Sequence, residues 1–192
     1  MNKATPLEIL KYGHPILRAK GRRVAVITNE IRELAADMLE TMHAANGVGL
    51  AAQQVGRALQ LTVIDVANIE DRPSTISIDG KMCDLKKQMP LTLVNPQLEL
   101  GAERETGNEG CLSFPDITAE IDRAISVVVE AETLEGKTIR IEAAGLLARA
   151  LQHEVDHLHG ILFIDRMSSV AKASLSSRLK RLKRETLRPL KS

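Results

Sequence analysis

The chain has 192 residues, of which 44% are hydrophobic, and its formal net charge at pH 7 is +1. This length allows one domain with its own core, and the near-neutral charge argues against nucleic acid as the main ligand, which needs a surplus of Lys and Arg. Aromatic residues make up only 2% of the chain, which disfavours stacking platforms for bases or sugars.

Two features predict the compartment. The chain contains only two cysteines, Cys83 and Cys111, too few for a disulfide framework and suited to a reducing environment. The N-terminal MNKATPLEILKYG has no apolar core of a signal peptide, and no run approaches the roughly 18 apolar residues of a membrane-spanning helix. We therefore expect a soluble cytoplasmic protein that has no membrane partner.

The first clear element is a helix that leads into a glycine-rich turn. From Thr28, the stretch TNEIRELAADMLETMHAANG has apolar residues at helical spacing and ends at Gly47. The following GVGLAAQQVG (47–56) comes after a helix rather than a strand and lacks the third glycine of a dinucleotide-binding loop. Its small residues indicate a tight turn that another backbone can approach closely. Gln53 and Gln54 are uncharged amides suited to donating hydrogen bonds to an oxyanion.

The middle of the chain predicts consecutive strands. Runs typical of strands occur at 60–67, 91–96, 124–132 and 137–143. A turn at Glu135 and Gly136 joins the last two runs. Because the strands follow one another instead of alternating with helices, the pattern indicates an α+β fold with a mostly antiparallel sheet. The segment 68–90 has no sustained period and predicts either a mobile flap or a small hairpin.

The stretch QHEVDHLHG (152–160) lies in a run of helical period. His153 and His157 are four residues apart, so on a helix both imidazoles share one face and can hold one divalent cation. Glu154 borders that face, where a general base can take a proton from an attacking water. HEVDH thus matches the metallohydrolase pattern His-Glu-x-x-His. A solvated polar helix is the alternative, but the flanking Leu and Ala residues predict burial, where unpaired His and Glu are costly.

Such a site needs a third ligand. The metzincin pattern would place a histidine where the chain has Phe163, and a gluzincin would need a downstream glutamate, for which the chain offers only Glu185 in a basic tail. We therefore expect the ligand upstream, in EGCLSFP (109–115). As a thiolate, Cys111 would complete a His2Cys site with an open fourth position, as in catalytic metal sites. A small buried core cysteine is the alternative, and it is our interpretation of Cys83.

Two other polar residues of the motif receive different interpretations. Asp156 needs a partner if it is buried, and Arg123 is the candidate because it lies on the chain that leaves EGCLSFP. An exposed Asp156 is the alternative. His159 is too far round the helix from His153 to share its face, so we expect no role for it in the site.

The C-terminal segment predicts an amphipathic helix that follows a catalytic domain of residues 1–167. Within 168–192, Leu175, Leu179 and Leu182 fall on one face. Residues 172–192 also carry eight Lys or Arg against one Glu. A solvated helix face is the ordinary interpretation of such a charge run, and docking on ribosomal RNA or protein is the alternative.

Three motifs together resemble the peptide deformylase family. GVGLAAQQ, EGCLS and QHEVDHLHG match the family's GφGφAAxQ, EGCLS and QHExDHLxG in the same order, and LKYGHPILR is similar to the family's opening. The resemblance extends over residues 7–166. It implies an α+β fold of mostly antiparallel sheets packed around a central metal-binding helix, with a C-terminal helix.

The resemblance also implies residue roles. The matching metal ligands are Cys111, His153 and His157. Glu154 matches the catalytic acid/base, and Gln54 and the backbone N–H of Leu112 match the two donors to the oxyanion. The positions at which the substrate is expected to pair with main chain are Val48, Gly49 and Gly110. The expected walls of the pocket for its methionine side chain are Val48, Leu146, Ala150 and the ring of His153.

The implied reaction removes the N-terminal formyl group from formyl-methionyl nascent polypeptides and releases formate, with one divalent metal ion per chain. The resemblance favours Fe(II), and Zn, Ni or Co can occupy such a site. Two alternatives stay open. A zinc endopeptidase of the HExxH type would cleave internal bonds, and Phe163 counts against it. A noncatalytic metal-binding or interaction module would have no use for Glu154.

Overall fold

In the computed structural model, which describes residues 6–188, nine strands form two antiparallel sheets. The strands are β1 (Gly49–Ala51), β2 (Leu61–Ile64), β3 (Ser74–Ile78), β4 (Lys81–Met82), β5 (Leu91–Leu100), β6 (Arg104–Gly110), β7 (Thr118–Ala124), β8 (Ser126–Glu132) and β9 (Thr138–Gly145). Seven of them form one sheet in the order β1-β2-β5-β8-β9-β3-β4, and β6 and β7 form a separate ribbon. The predicted α+β class with antiparallel pairing is therefore confirmed.

Six α-helices surround and cross these sheets in the described part of the chain. They are α1 (Asn29–Ala44), α2 (Leu85–Gln88), α3 (Leu146–Leu158), α4 (Phe163–Arg166), α5 (Ser169–Ser174) and α6 (Ser176–Leu187). Two short 3-10 turns, Pro15–Arg18 and Ala52–Val55, add to them. None of the described helices is both long enough and apolar enough to cross a membrane.

Helix α3 is the central helix of the fold. All of its residues except His153 are buried, because the helix packs against the large sheet and also against β7 of the ribbon. Its burial, predicted from the flanking apolar residues, is confirmed. The chain enters α3 through Gly145 at φ +71°, where a Cβ atom would overlap the carbonyl oxygen of Pro73. Only glycine permits this combination of backbone angle and close approach.

The core consists of three apolar clusters, built mainly from Leu, Ile, Val, Ala and Met. The first lies between the large sheet and α3, and the third packs α1 on β1 and β2. The second contains the buried aromatic rings Phe114 and Phe163, whose centroids are 5.0 Å apart. Tyr12 stacks on Phe114 with a centroid distance of 4.8 Å. Cys83 is half-buried at the edge of the first cluster, so the expectation of a small buried core cysteine is wrong.

The predicted helix and strands are present with adjusted ends. Helix α1 begins after Thr28, whose side chain accepts a hydrogen bond from the Ile31 N–H. The strand predicted at 91–96 extends to Leu100 as β5. The segment 68–90 contains the β3–β4 hairpin, with Asp79 and Gly80 at its turn, and the short helix α2, and β3 pairs with β9. The hairpin interpretation is therefore confirmed for this segment.

The ribbon of β6 and β7 has no counterpart among the predicted strands. Six of the seven residues of β6 are exposed or half-buried, and its one buried residue is charged, Glu109. A strand with this composition has no apolar alternation that would identify it. Its turn nevertheless delivers Cys111, which follows β6 directly.

The C-terminal segment forms two helices rather than one, α5 and α6. Leu179 is buried in the second cluster, and Leu175 and Leu182 pack against it, so the predicted apolar face is confirmed. A Cβ atom on Gly13 would lie 3.0 Å from the carbonyl oxygen of Lys183, so α6 approaches the N-terminal segment closely. The predicted tail beyond residue 188 lies outside the described residues.

Candidate metal centre and active site

A cavity of about 550 Å³ opens beside the N-terminal half of α3. Its walls come from β1, the end of β6, the turn after β6 and α3. Among its lining residues are the predicted site residues Val48, Gly49, Gln54, Gly110, Cys111, Leu112, Leu146, Ala150, His153 and Glu154. The remaining predicted residue, His157, is fully buried behind the cavity wall. The predicted site residues, which come from three segments distant in sequence (48–54, 110–112 and 146–157), therefore meet at one place.

Cys111, His153 and His157 form a group whose possible ligand atoms all lie within 4.8 Å of one another. The Nε2 atom of His157 is 3.4 Å from the Sγ atom of Cys111, and the two imidazole centroids are 5.0 Å apart. Helix α3 sets the spacing of the two histidines, and the turn after β6 brings the thiol to them. One soft sulfur and two imidazole nitrogens form a donor set that fits a divalent transition metal.

The surroundings prepare the two imidazoles differently. Burial lowers the pKa of His157 well below its ordinary value, which keeps this ring neutral. Burial would also lower the pKa of His153, but its hydrogen bonds with Cys111 and Glu109 raise the pKa well above the ordinary value. The Nδ1 atom of His153 lies 3.1 Å from Glu109 Oε2. In the neutral ring, which a metal ion requires, the carboxylate on Nδ1 fixes the tautomer and leaves Nε2 available as a ligand.

Glu154 is a buried carboxyl group with one oxygen atom left unpaired in the described part of the chain. Its Oε2 atom has no hydrogen-bond partner among residues 6–188, and burial raises its pKa to about 7. A Cβ atom on Gly49 would overlap Glu154 Oε1. The glycine turn was expected to admit another backbone, but at this position it admits the carboxylate of Glu154. Gly49 thus makes room for the group that can exchange protons near neutral pH.

The two adjacent glutamines point in different directions. Gln54 accepts a hydrogen bond from the Ala51 N–H through Oε1, at 2.9 Å, and its Nε2 donates to Ser113 Oγ at 3.2 Å and Cys111 Sγ at 3.5 Å. Gln53 instead donates to the Leu158 carbonyl, at 3.3 Å, away from the cavity. Only Gln54 of this pair therefore presents its amide to the cavity.

Glu109 is the first residue of the EGCLS motif, but no role in the site was predicted for it. It accepts hydrogen bonds from Arg123 Nε and Nη2, at 3.0 and 3.1 Å, and from Arg149 Nη1, at 2.9 Å, in addition to its contact with His153. Burial alone would raise the pKa of Glu109, but the hydrogen bonds from His153 and Arg123 lower it to about 2. The one available indication in the sequence was an acidic residue two positions before Cys111, since a ligand histidine needs an acceptor on its other nitrogen.

The expected pairing of Asp156 with Arg123 is confirmed, with Arg123 Nη1 2.5 Å from Asp156 Oδ2. Arg166 adds a second partner that was not predicted, with Nη2 2.6 Å from Asp156 Oδ1. Asp156 is buried. Because the two arginines contact both of its carboxylate oxygens, its negative charge is neutralised. His159 is exposed and its Nδ1 contacts the carbonyl of Val155, outside the cavity.

Comparison with known proteins gives consistent matches. A family described as polypeptide deformylase matches residues 6–173. The chain is 44% identical to a peptide deformylase of Methylacidiphilum infernorum over 93% of both proteins, and 41% identical to a peptide deformylase of Opitutus terrae over 94% of both.

Solved structures match as well. The fold is similar to peptide deformylase 1B of Arabidopsis thaliana in complex with an inhibitor, with a TM-score of 0.81 and 35% identity over 94% of this chain and 92% of that one. It is also similar to a peptide deformylase of Thermus thermophilus, with a TM-score of 0.78 and 34% identity over 94% of this chain and 99% of that one.

Arg123 forms buried ion pairs with both Glu109 and Asp156, so removing its side chain should destabilise the fold strongly. Arg123→Ala would leave Glu109 and Asp156 each with one arginine fewer in a buried setting, and we expect the free energy of unfolding to fall by roughly 3 kcal/mol. Arg104→Ala is the matched control, since its ion pair with Asp122 is exposed and should contribute less than about 1 kcal/mol. Urea unfolding measures both, and equal losses in the two variants would contradict the importance of the buried network.

Proposed function

The chain belongs to the polypeptide deformylase family, and from this premise we propose which residues carry its reaction. As a member it is an enzyme that removes the N-terminal formyl group from formyl-methionyl nascent polypeptides and releases formate. The observation that supports our assignment is the Cys111, His153 and His157 group beside the buried carboxyl of Glu154 in one cavity. The deformylase function is favoured over a zinc endopeptidase.

We propose that Cys111, His153 and His157 hold one divalent metal ion. The family resemblance favours Fe(II), with Zn, Ni or Co as ions that the same donors accommodate. The support is the chemistry of the donor set and the proximity of its three ligand atoms. Bound there, the ion would supply Lewis acidity, which polarises a carbonyl group and makes water easier to deprotonate.

Glu154 is the proton carrier in this proposal. With a pKa of about 7, its carboxylate can accept a proton from the water that attacks the formyl carbon, and the resulting acid can return that proton to the amine as the C–N bond breaks. The products are formate and a free methionyl amine. Its burial supports this role, because a carboxyl group in bulk water would be too weak a base.

The oxyanion that develops on the formyl oxygen needs hydrogen-bond donors. We assign these to the side-chain amide of Gln54 and the backbone N–H of Leu112. The Gln54 amide is held in place by its bonds to Ala51 and Ser113, so little reorganisation is needed when charge develops. Leu112 follows Cys111 directly and lines the same cavity.

The peptide itself is proposed to pair with the main chain on two sides of the cavity. The positions assigned to this contact are Val48, Gly49 and Gly110. Leu146 and Ala150 on α3 line the cavity together with Val48 and offer apolar walls for the methionine side chain. Each residue contributes through burial of apolar surface or main-chain hydrogen bonds rather than through charge.

The role of Glu154 predicts a specific loss. Glu154→Gln keeps the size of the side chain but cannot accept a proton, and we expect formate release from a formyl-Met peptide to fall by about 10²- to 10⁴-fold, with bound metal retained. Glu120→Gln on β7, an exposed glutamate, serves as the control and should behave as wild type. Wild-type formate release by Glu154→Gln, or cleavage of internal peptide bonds by the unmodified enzyme, would contradict the proposal.

The organisation and surroundings of the enzyme are also proposals. We propose a catalytic domain of residues 1–167 followed by a basic amphipathic segment of residues 168–192. We place the chain in the cytoplasm, where nascent polypeptides emerge, and both cysteines are free, as suits that compartment.

We propose that the basic segment 168–192 docks on the ribosome through its basic face. Its supporting residues are the exposed cations Lys180, Arg181, Lys183, Arg184 and Arg188.

Docking is best tested by changing charge rather than by truncation, since removing α6 would also remove Leu179 from the cluster that contains Phe114. The combination of Lys180→Glu and Arg184→Glu should lower co-sedimentation with ribosomes by about tenfold at low salt and leave formate release unchanged. Lys86→Glu with Lys87→Glu on α2 makes the same change of charge at another exposed site. Equal co-sedimentation of all three proteins would end the docking proposal.

A further inference from the structure

The N-terminal segment 10–12 contacts both turns that carry the assigned oxyanion donors. The Leu10 N–H donates to the carbonyl of Gln54 at 2.8 Å, and the Tyr12 N–H donates to the carbonyl of Ser113 at 2.9 Å. Between them, Lys11 Nζ donates to the carbonyl of Leu112 at 2.9 Å. Three consecutive residues thus form bonds to two separate turns.

These turns belong to different parts of the fold. Gln54 lies in the 3-10 turn after β1, at one edge of the large sheet, whereas Leu112 lies in the turn after β6 of the ribbon. The two sheets share no ladder of hydrogen bonds. The distance between the two donors therefore depends on cross-links between the turns, such as Gln54 Nε2 to Ser113 Oγ at 3.2 Å and the bonds made by segment 10–12.

Lys11 reaches the turn of Leu112 through its side chain, whereas Leu10 and Tyr12 reach the two turns through their backbone N–H groups. Its ammonium group is half-buried and lines the cavity, and a charged donor forms a stronger hydrogen bond than a neutral one. Tyr12 anchors the segment from the other side, because its ring stacks on Phe114. The segment is thus fixed to the core beside the carbonyl group that Lys11 holds.

We propose that Lys11 is a positioning residue for the reaction. With the backbone donors of Leu10 and Tyr12, its ammonium holds the turn of Leu112 at a fixed distance from Gln54, so that both donors reach the developing oxyanion together. The inference rests on the roles proposed for Gln54 and Leu112. It assigns a function to a lysine outside the three motifs, and it predicts an effect on the chemical step rather than on peptide binding.

Lys11→Met removes the donor and the charge but keeps the length of the side chain. We expect kcat for a formyl-Met peptide to fall by about tenfold, since small displacements of reacting groups are costly, while KM changes by less than about twofold. Lys11→Arg, which keeps a charged donor, should restore most of kcat. Lys20→Met is the control. Lys20 is an exposed lysine that lies outside segment 10–12, and this variant should match wild type.

Metal content and the thermal midpoint are measured for every variant. A merely structural role of Lys11 would lower these two quantities and would not produce a loss of kcat at unchanged KM. Wild-type kcat in Lys11→Met, a loss confined to KM, or a loss that Lys11→Arg does not restore would overturn the inference.

Combining Lys11→Met with Gln54→Ala separates this inference from the proposed function. If the lysine acts by positioning, its effect in the Gln54→Ala background should be clearly smaller than in wild type, because one of the two positioned donors is already lost. Independent, multiplying effects would contradict positioning. Wild-type kcat in Gln54→Ala alone would instead overturn the role of Gln54, whereas an impaired Gln54→Ala beside an unimpaired Lys11→Met would overturn only the role of Lys11.

Discussion

The buried carboxylate of Glu109 is the interaction on which the site depends. It joins three elements, because it lies on β6, accepts hydrogen bonds from Arg123 on β7 and Arg149 on α3, and contacts His153 on α3. An unpaired charge at this depth would be strongly unfavourable. The two arginines therefore make possible a carboxylate that is ionised in the interior and contacts His153, the proposed metal ligand. The ribbon and the helix could not separate without exposing or unpairing these charges.

Two carboxyl groups of α3, those of Asp156 and Glu154, lie in different electrostatic surroundings. Asp156 is neutralised by Arg123 and Arg166, so its charge is satisfied and its role is to hold the helix. Glu154, two residues earlier and on a different face of the helix, has no such partner among the described residues for its Oε2 atom. Burial raises the pKa of Glu154 to about 7, because it outweighs the opposing effect of the His153 and Arg123 charges. The same helix thus carries one carboxyl group that is fixed and another that can exchange a proton near neutrality.

Much of the fold and of the site could be predicted because local geometry determines it. The spacing of His153 and His157 places both rings on one helical face whatever surrounds the helix. Strand β6 could not be predicted in this way, since its one buried residue is Glu109 and no apolar alternation marks the strand. Arg149 and Glu109 are 40 residues apart in the chain, so only the three-dimensional structure reveals their contact. Gln53 and Gln54 are identical in type, and the turn that contains them decides which one faces the cavity.

X-ray absorption at the metal edge, on protein purified without oxygen, tests the central assignment most directly. We expect an iron edge and a ligand set that contains one sulfur and two imidazole nitrogens, with the sulfur lost in Cys111→Ser. A zinc, nickel or cobalt edge with the same ligands would change the identity of the metal and leave the site intact. Ligation by nitrogen and oxygen alone in the unmodified protein would contradict a metal centre built from Cys111, His153 and His157.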